Sequence, residues 1–120
     1  MNKASPNQKR KINLVYSDND SLSLIFQDNE LLRGVVGEFN ENLKELEKLT
    51  GTSLYFRGNS IIIKSDQKNN EIIKNAIMFL SDQFINNGTI EKKDILSSIN
   101  KFMINENSNI GKKIEYIIKT

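Results

Sequence analysis

Leu54-Tyr55-Phe56-Arg57-Gly58-Asn59-Ser60-Ile61-Ile62-Ile63-Lys64 is the stretch on which the fold turns. Two runs rich in aromatic and β-branched residues suit a pleated surface better than a helix. The Gly58-Asn59 dipeptide between them suits the positive φ angles of a tight hairpin turn. An antiparallel hairpin over 54–64 is the expectation. By strand alternation Tyr55 and Phe56 point to opposite faces, so at most one of them is available for stacking outside a core.

Upstream of the hairpin the period changes from two to three or four. Asp28 or Asn29 can cap a short helix that carries Leu31, Leu32, Val35 and Val36 and stops at Gly37. A second helix begins near Asn40 or Glu41, places Leu43, Leu46 and Leu49 in one stripe, and stops at Thr50-Gly51. Before these, Leu22, Leu24 and Phe26 alternate with Ser21, Ser23 and Ile25, the spacing of a core strand, and Ile12, Leu14 and Tyr16 alternate in the same way ahead of the Ser17-Asp18-Asn19-Asp20 break. Downstream, Ile72, Ile73, Ala76, Ile77, Leu80 and Phe84 mark one face of a long helix over about 68–87, and Thr89 can cap a last helix with Ile95, Leu96, Ile99 and Phe102 at helical spacing. The order is β-α-α-β-β-α-α. It predicts an α+β sandwich in which helices cover a three-stranded antiparallel sheet built on the 22–26 strand and the hairpin.

Composition narrows the chemistry. A chain of 120 residues with 38% hydrophobic content supports one modest core. It contains no Cys and no His, which removes thiolate nucleophiles, disulfides, imidazole bases and almost every zinc or copper site. No apolar run approaches the roughly 20 residues of a membrane-spanning helix, and the polar start, Met1 to Arg10, lacks the apolar stretch of a secretory signal. The expected compartment is the cytoplasm. A net charge of +2 is too small to argue for nucleic-acid binding by itself.

The element order, with a Gly-containing loop between the first two helices, resembles the KH module, whose loop clamps single-stranded RNA backbone. Two tracts narrow the resemblance. Phe26-Gln27-Asp28-Asn29-Glu30-Leu31-Leu32 and Val36-Gly37-Glu38-Phe39-Asn40-Glu41-Asn42-Leu43 look like the start of the PhoH-like family, where an acidic-Asn pair opens the first helix and an Asn-Leu pair opens the second. Leu49-Thr50-Gly51-Thr52, then Arg57-Gly58-Asn59 and Ile61-Ile62-Ile63, are similar to the family's next tract, and the likeness covers about residues 22–103. It implies a KH-like module over 11–103, preceded by a disordered basic arm at 1–10. A tail or linker over 104–120 would lead toward a P-loop ATPase domain, because family members are bacterial ATPases linked to RNA metabolism and ribosome maturation. ATP and magnesium would belong to that domain. The only Gly-Lys here, Gly111-Lys112, is followed by Lys113, and Glu106 stands where a P-loop needs its first Gly. The chain is therefore expected to act as a fragment that binds without catalysing and holds no cofactor. Its expected partners are single-stranded RNA and the ATPase domain in cis, with homo-oligomers forming through that domain and no membrane contact. The alternative is a protein-interaction module with a degenerate clamp.

In KH modules an Ile-Lys pair follows the first clamp Gly by six residues. Leu43-Lys44 in that place sets the clamp at Gly37-Glu38-Phe39-Asn40 and makes Gly34-Val35-Val36-Gly37 a decoy. The candidate RNA-contacting residues are Gly37, Glu38, Phe39, Asn40, Asn42, Lys44, Arg57, Gly58 and Asn59. Each has a blander reading. Glu38 and Glu41 oppose phosphate, Asn40 serves as a helix cap ahead of any RNA contact, and Phe39 belongs more often in a core than under a base. Lys44 and Lys48 pair with Glu41, Glu45 and Glu47 along a solvated helix. Arg57 is the strongest cation, beside the turn and able both to stack and to fork, and Lys64 is a further candidate for the same groove.

Overall fold

A computed structural model describes residues 12–17 and 20–100. Strands β1 (Ile12–Ser17) and β2 (Ser21–Phe26) form a hairpin and are followed by helix α1 (Asn29–Val36), a single 3-10 turn (Glu38–Asn40) and helix α2 (Glu41–Thr50). Strands β3 (Leu54–Arg57) and β4 (Ser60–Lys64), helix α3 (Gln67–Asn87) and a helical stretch over residues 92–100 complete the order. The four strands make one antiparallel sheet in the spatial order β1-β2-β4-β3.

Alternation builds the layers. Ile12, Leu22, Leu24, Phe26, Leu54, Ile61 and Ile63 share one face of the sheet and are buried in a single cluster with Leu31, Leu32, Val35, Leu46, Ile73, Ile77 and Leu80 of the helices. On the other face stand Ser21, Ser23 and Ser60, with Val15 and Tyr55 exposed. Helices on one side and a solvated sheet on the other make the α+β sandwich expected from the hydrophobic periods.

The sheet has four strands, not three. The Ile12–Tyr16 alternation is a true strand, and all six β1 residues pair in unbroken register with β2, from Ile12 opposite Phe26 to Ser17 opposite Ser21. Asp20, which leads into β2, has a left-handed φ of 59°. Two contacts from α3 hold the added strand. Asn70 Nδ2 donates to the Asp20 carbonyl at 2.9 Å, and the Tyr16 hydroxyl donates to Glu71 Oε2 at 3.1 Å. Lys74, 2.7 Å from Glu71 Oε1, chiefly holds that carboxyl below its ordinary value, with the Tyr16 bond assisting against partial burial.

The 54–64 hairpin is present, with positive φ at Gly58 and not at Asn59, the arrangement of turns that place glycine first. Asp28 caps α1 by accepting from the Glu30 and Leu31 amides, and Asp66 caps α3 by accepting from Asn69. Thr89 does not cap the last helix. That helix begins at residue 92, where the Asp94 carboxylate accepts from the Glu91 amide at 2.8 Å. Ile95 and Ile99 are buried as their spacing requires, whereas Leu96 faces solvent. The arm over 1–10, Phe102 and the 104–120 tail lie outside the described residues.

Candidate functional site

The expected clamp residues are held at the C-terminal end of α1. Gly37 ends that helix with φ 81°, and its N–H donates to the Arg33 carbonyl at 3.0 Å. A β-carbon at Gly37 would lie 2.7 Å from Asn42 Nδ2. That amide is itself engaged, donating to the Val35 carbonyl at 3.1 Å, so Asn42 fills the space a side chain at 37 would need and satisfies a carbonyl the helix end leaves open. The chain then turns through Phe39 at φ 53° and Asn40 at φ 59°, braced by the Asn40 amide on the Gly37 carbonyl at 3.1 Å.

Phe39 is not a core residue. Its side chain is 86% exposed, the most exposed large apolar group among the described residues. A bulky residue in the left-handed region costs of order 1–2 kcal/mol, and nothing in the packing of the loop recovers it. Asn40 precedes α2 in the left-handed conformation and, contrary to the capping role expected of it, makes no side-chain bond to that helix. Side-chain capping requires extended φ and ψ at that position, which the left-handed turn denies. Glu38 and Glu41 are both exposed or nearly so beside Phe39.

The second group of candidates lies at the other end of α1. Asn59 Nδ2 donates to the Phe26 carbonyl at 2.9 Å, and the Phe26 amide donates back to the Asn59 carbonyl at 2.8 Å. Asn59 thus extends the β2·β4 ladder by one rung, two residues before the Asp28 cap. Eight helical residues, about 12 Å at 1.5 Å each, therefore separate the Arg57-Gly58-Asn59 turn from the Gly37–Asn40 loop, and the fold does not bring the two groups together. Arg57 is exposed on the solvated sheet face opposite Ser60. Tyr55 and Phe56 are both partly free, 52% and 44% exposed, because β3 is an edge strand and the helical layer does not cover the Phe56 side fully.

What the fold does bring together is an open groove of about 400 Å³ between α2 and the start of the last helix, lined chiefly by Glu41, Asn42, Lys44, Glu45, Lys48 and Lys92, with Ile90 and Ile95 as its apolar floor. Asn42 and Lys44 were legible as candidates, and Lys48 as a groove cation. Lys92 was not, since only the tertiary fold sets it opposite a helix more than forty residues upstream. Lys48 approaches Glu45 at 3.9 Å, Lys44 makes no ion pair with any of the described residues, and Glu47 turns away to accept from the Leu54 amide at 2.8 Å. Lys64 stands on the solvated sheet face, opposite Ser21 and away from this groove.

Charge is divided along the chain. Residues 12–100 hold nine Lys and Arg against thirteen Asp and Glu, while residues 1–11 hold four cations and no acid. The Gly34-x-x-Gly37 decoy has a packing explanation: a β-carbon at Gly34 would sit 2.4 Å from the Phe84 ring, so this glycine lets α1 approach α3. Among the described residues no group of acids is placed to hold a metal ion, and no helix is long and apolar enough to cross a membrane. No family model, no curated protein and no solved structure matches the chain.

Proposed function

We propose that this chain is a KH-like, single-stranded RNA-binding module of the PhoH-like kind, non-catalytic by itself and working with a P-loop ATPase domain outside these 120 residues. With β1 set aside, the remaining order β-α-α-β-β-α and the placement of the Gly37–Asn40 loop between the two short helices agree with that reading. The observation that carries it is Phe39, an aromatic ring held out in solvent on a backbone conformation that costs stability. A base stacked on such a ring gains about 1–3 kcal/mol and needs no particular sequence. The strand's backbone would then follow α2 past Lys44 and Lys48, facing Lys92, with the four cations of residues 1–11 adding long-range attraction.

Fluorescence anisotropy with a labelled single-stranded RNA tests this. The full chain is expected to bind at low salt and to weaken as salt rises, and Phe39→Ala is expected to weaken binding by about fivefold or more, the equivalent of one lost stack. No binding at low salt overturns the proposal.

A second reading has its own observation. Glu38 and Glu41 flank Phe39, and residues 12–100 carry a net charge of −4, which repels a polyanion. On this reading Phe39 is the anchor of a protein contact, inserted into an apolar pocket of a partner. Loss of a partner by Phe39→Ala with binding indifferent to RNA would favour it.

A further inference from the structure

The solvated face of the sheet has a composition of its own. The registers set Val15 opposite Ser23, Ser23 opposite Ile62 and Ile62 opposite Tyr55, so these residues form one row across all four strands. Strand alternation turns the row away from the helices. Tyr55 is 52% exposed and Val15 45%, while Ser23 and Ile62 between them are partly covered. The short Ser23 side chain lowers the middle of the row, and the Tyr55 ring stands open at its β3 end.

Charge on this face has one sign. Arg57 lies two residues beyond Tyr55 on β3, and Lys64 lies two residues beyond Ile62 on β4, in opposite directions because the strands are antiparallel. Each cation therefore stands about 7 Å from the Tyr55 row, one on either side of it. Both are exposed, and neither forms an ion pair with a described residue. No outward position on the four strands is an acid. The nearest acids in sequence are Asp20, ahead of β2, and Asp66, whose carboxylate accepts from the Asn69 amide. Residues 12–100 carry a net charge of −4, so a face with two cations and no acid departs from the rest of the domain.

We propose that this face is a second nucleic-acid surface, on which Tyr55 stacks one base of a single strand while Arg57 and Lys64 take the phosphates on either side of it. Each nucleotide within a strand has a phosphate before it and a phosphate after it, and the order cation, ring, cation repeats that pattern. An acidic peptide would satisfy the two cations and leave the ring without a flat partner. Aromatic rings on the open face of a four-stranded sheet are an established way of reading single-stranded RNA. This face shares with the Phe39 loop only the class of ligand. The loop joins two helices of the covering layer and Tyr55 faces away from that layer, so neither site uses a residue of the other.

Anisotropy titration of a labelled oligouridine of about ten nucleotides with the full chain, at several salt concentrations, tests the assignment. Tyr55→Ala is expected to weaken binding by about fivefold or more and Tyr55→Phe to leave it within about twofold, since the ring and not the hydroxyl stacks. Arg57→Gln and Lys64→Gln change exposed side chains and leave the core untouched. Each is expected to lower the slope of log affinity against log salt by about 0.7. Phe39→Ala, measured alongside, separates the two surfaces. Loss with Tyr55→Ala, together with the lowered slopes, supports the sheet site whether or not Phe39→Ala also loses affinity. Loss with Phe39→Ala alone overturns the sheet site and leaves the loop reading standing, and so do salt slopes unchanged in both glutamine variants. No binding at low salt overturns both. Polyglutamate bound at least as tightly as oligouridine, and equally by the parent and Tyr55→Ala, would make the face an anchor for acidic protein segments and would also overturn the proposal.

Discussion

At the N-terminal end of α1, every unusual residue is absorbed by the fold. Asp28 caps the helix, Gly58 makes the turn, and Asn59 spends its side chain and its carbonyl on Phe26. At the C-terminal end the accounts do not balance. Gly37 and Asn42 are explained by each other, yet Phe39 sits beside them in a strained conformation with its ring in water. The difference separates residues that look like binding residues because a turn needs them from a residue that the turn would be better without. Strain without structural return is the stronger pointer to a surface kept for a partner.

Substitutions sharpen that contrast. Gly37→Ala has the largest expected effect on stability, about 2–3 kcal/mol, because an alanine there carries a left-handed φ and drives its methyl into the Asn42 amide. Urea unfolding measures it, and a loss below about 0.5 kcal/mol would mean that Asn42 moves aside freely. Asn59→Ala follows at about 1–2 kcal/mol, since it leaves the Phe26 carbonyl without its side-chain donor at the sheet margin. If Asn59→Ala instead lowered RNA affinity and left stability unchanged, the two ends of α1 would be functionally alike and the contrast would fail.

Much of this architecture was legible because hydrophobic period and capping residues agree locally. The 54–64 hairpin, the two short helices with their stop at Gly37 and the long 67–87 helix each carry a distinct apolar spacing bounded by Gly, Asp or Asn. The fourth strand is visible as the Ile12-Leu14-Tyr16 alternation, but its place in the sheet is not, because of these three inner-face residues only Ile12 is fully buried, Leu14 is partly covered and Tyr16 is 59% exposed. Its place is decided by α3, through Asn70 and Glu71, more than fifty residues later. The site divides in the same way. The Gly37–Asn40 loop follows from local sequence, whereas the exposure of Phe39 and the arrival of Lys92 opposite α2 depend on long-range packing that no local pattern encodes. Asn59 shows the converse case, a turn residue whose side-chain amide donates to the Phe26 carbonyl of the neighbouring strand, a structural role that no local pattern reveals.

The smallest expected stability effect carries the most information. Asn tolerates left-handed φ far better than a bulky aromatic residue, and the Phe39 ring is almost wholly in solvent, so Phe39→Asn removes strain and almost no packing. It is expected to leave stability unchanged or to raise it by a few tenths of a kcal/mol, up to about 1. The same substitution should lose binding to the extent that Phe39→Ala does, because both abolish the ring. A variant more stable and less able to bind is the signature of a residue retained against folding. A Phe39→Asn protein that unfolds more easily than the parent would instead show that the ring is packed in solution, and the contrast between the two ends of α1 would then collapse into two ordinary turns.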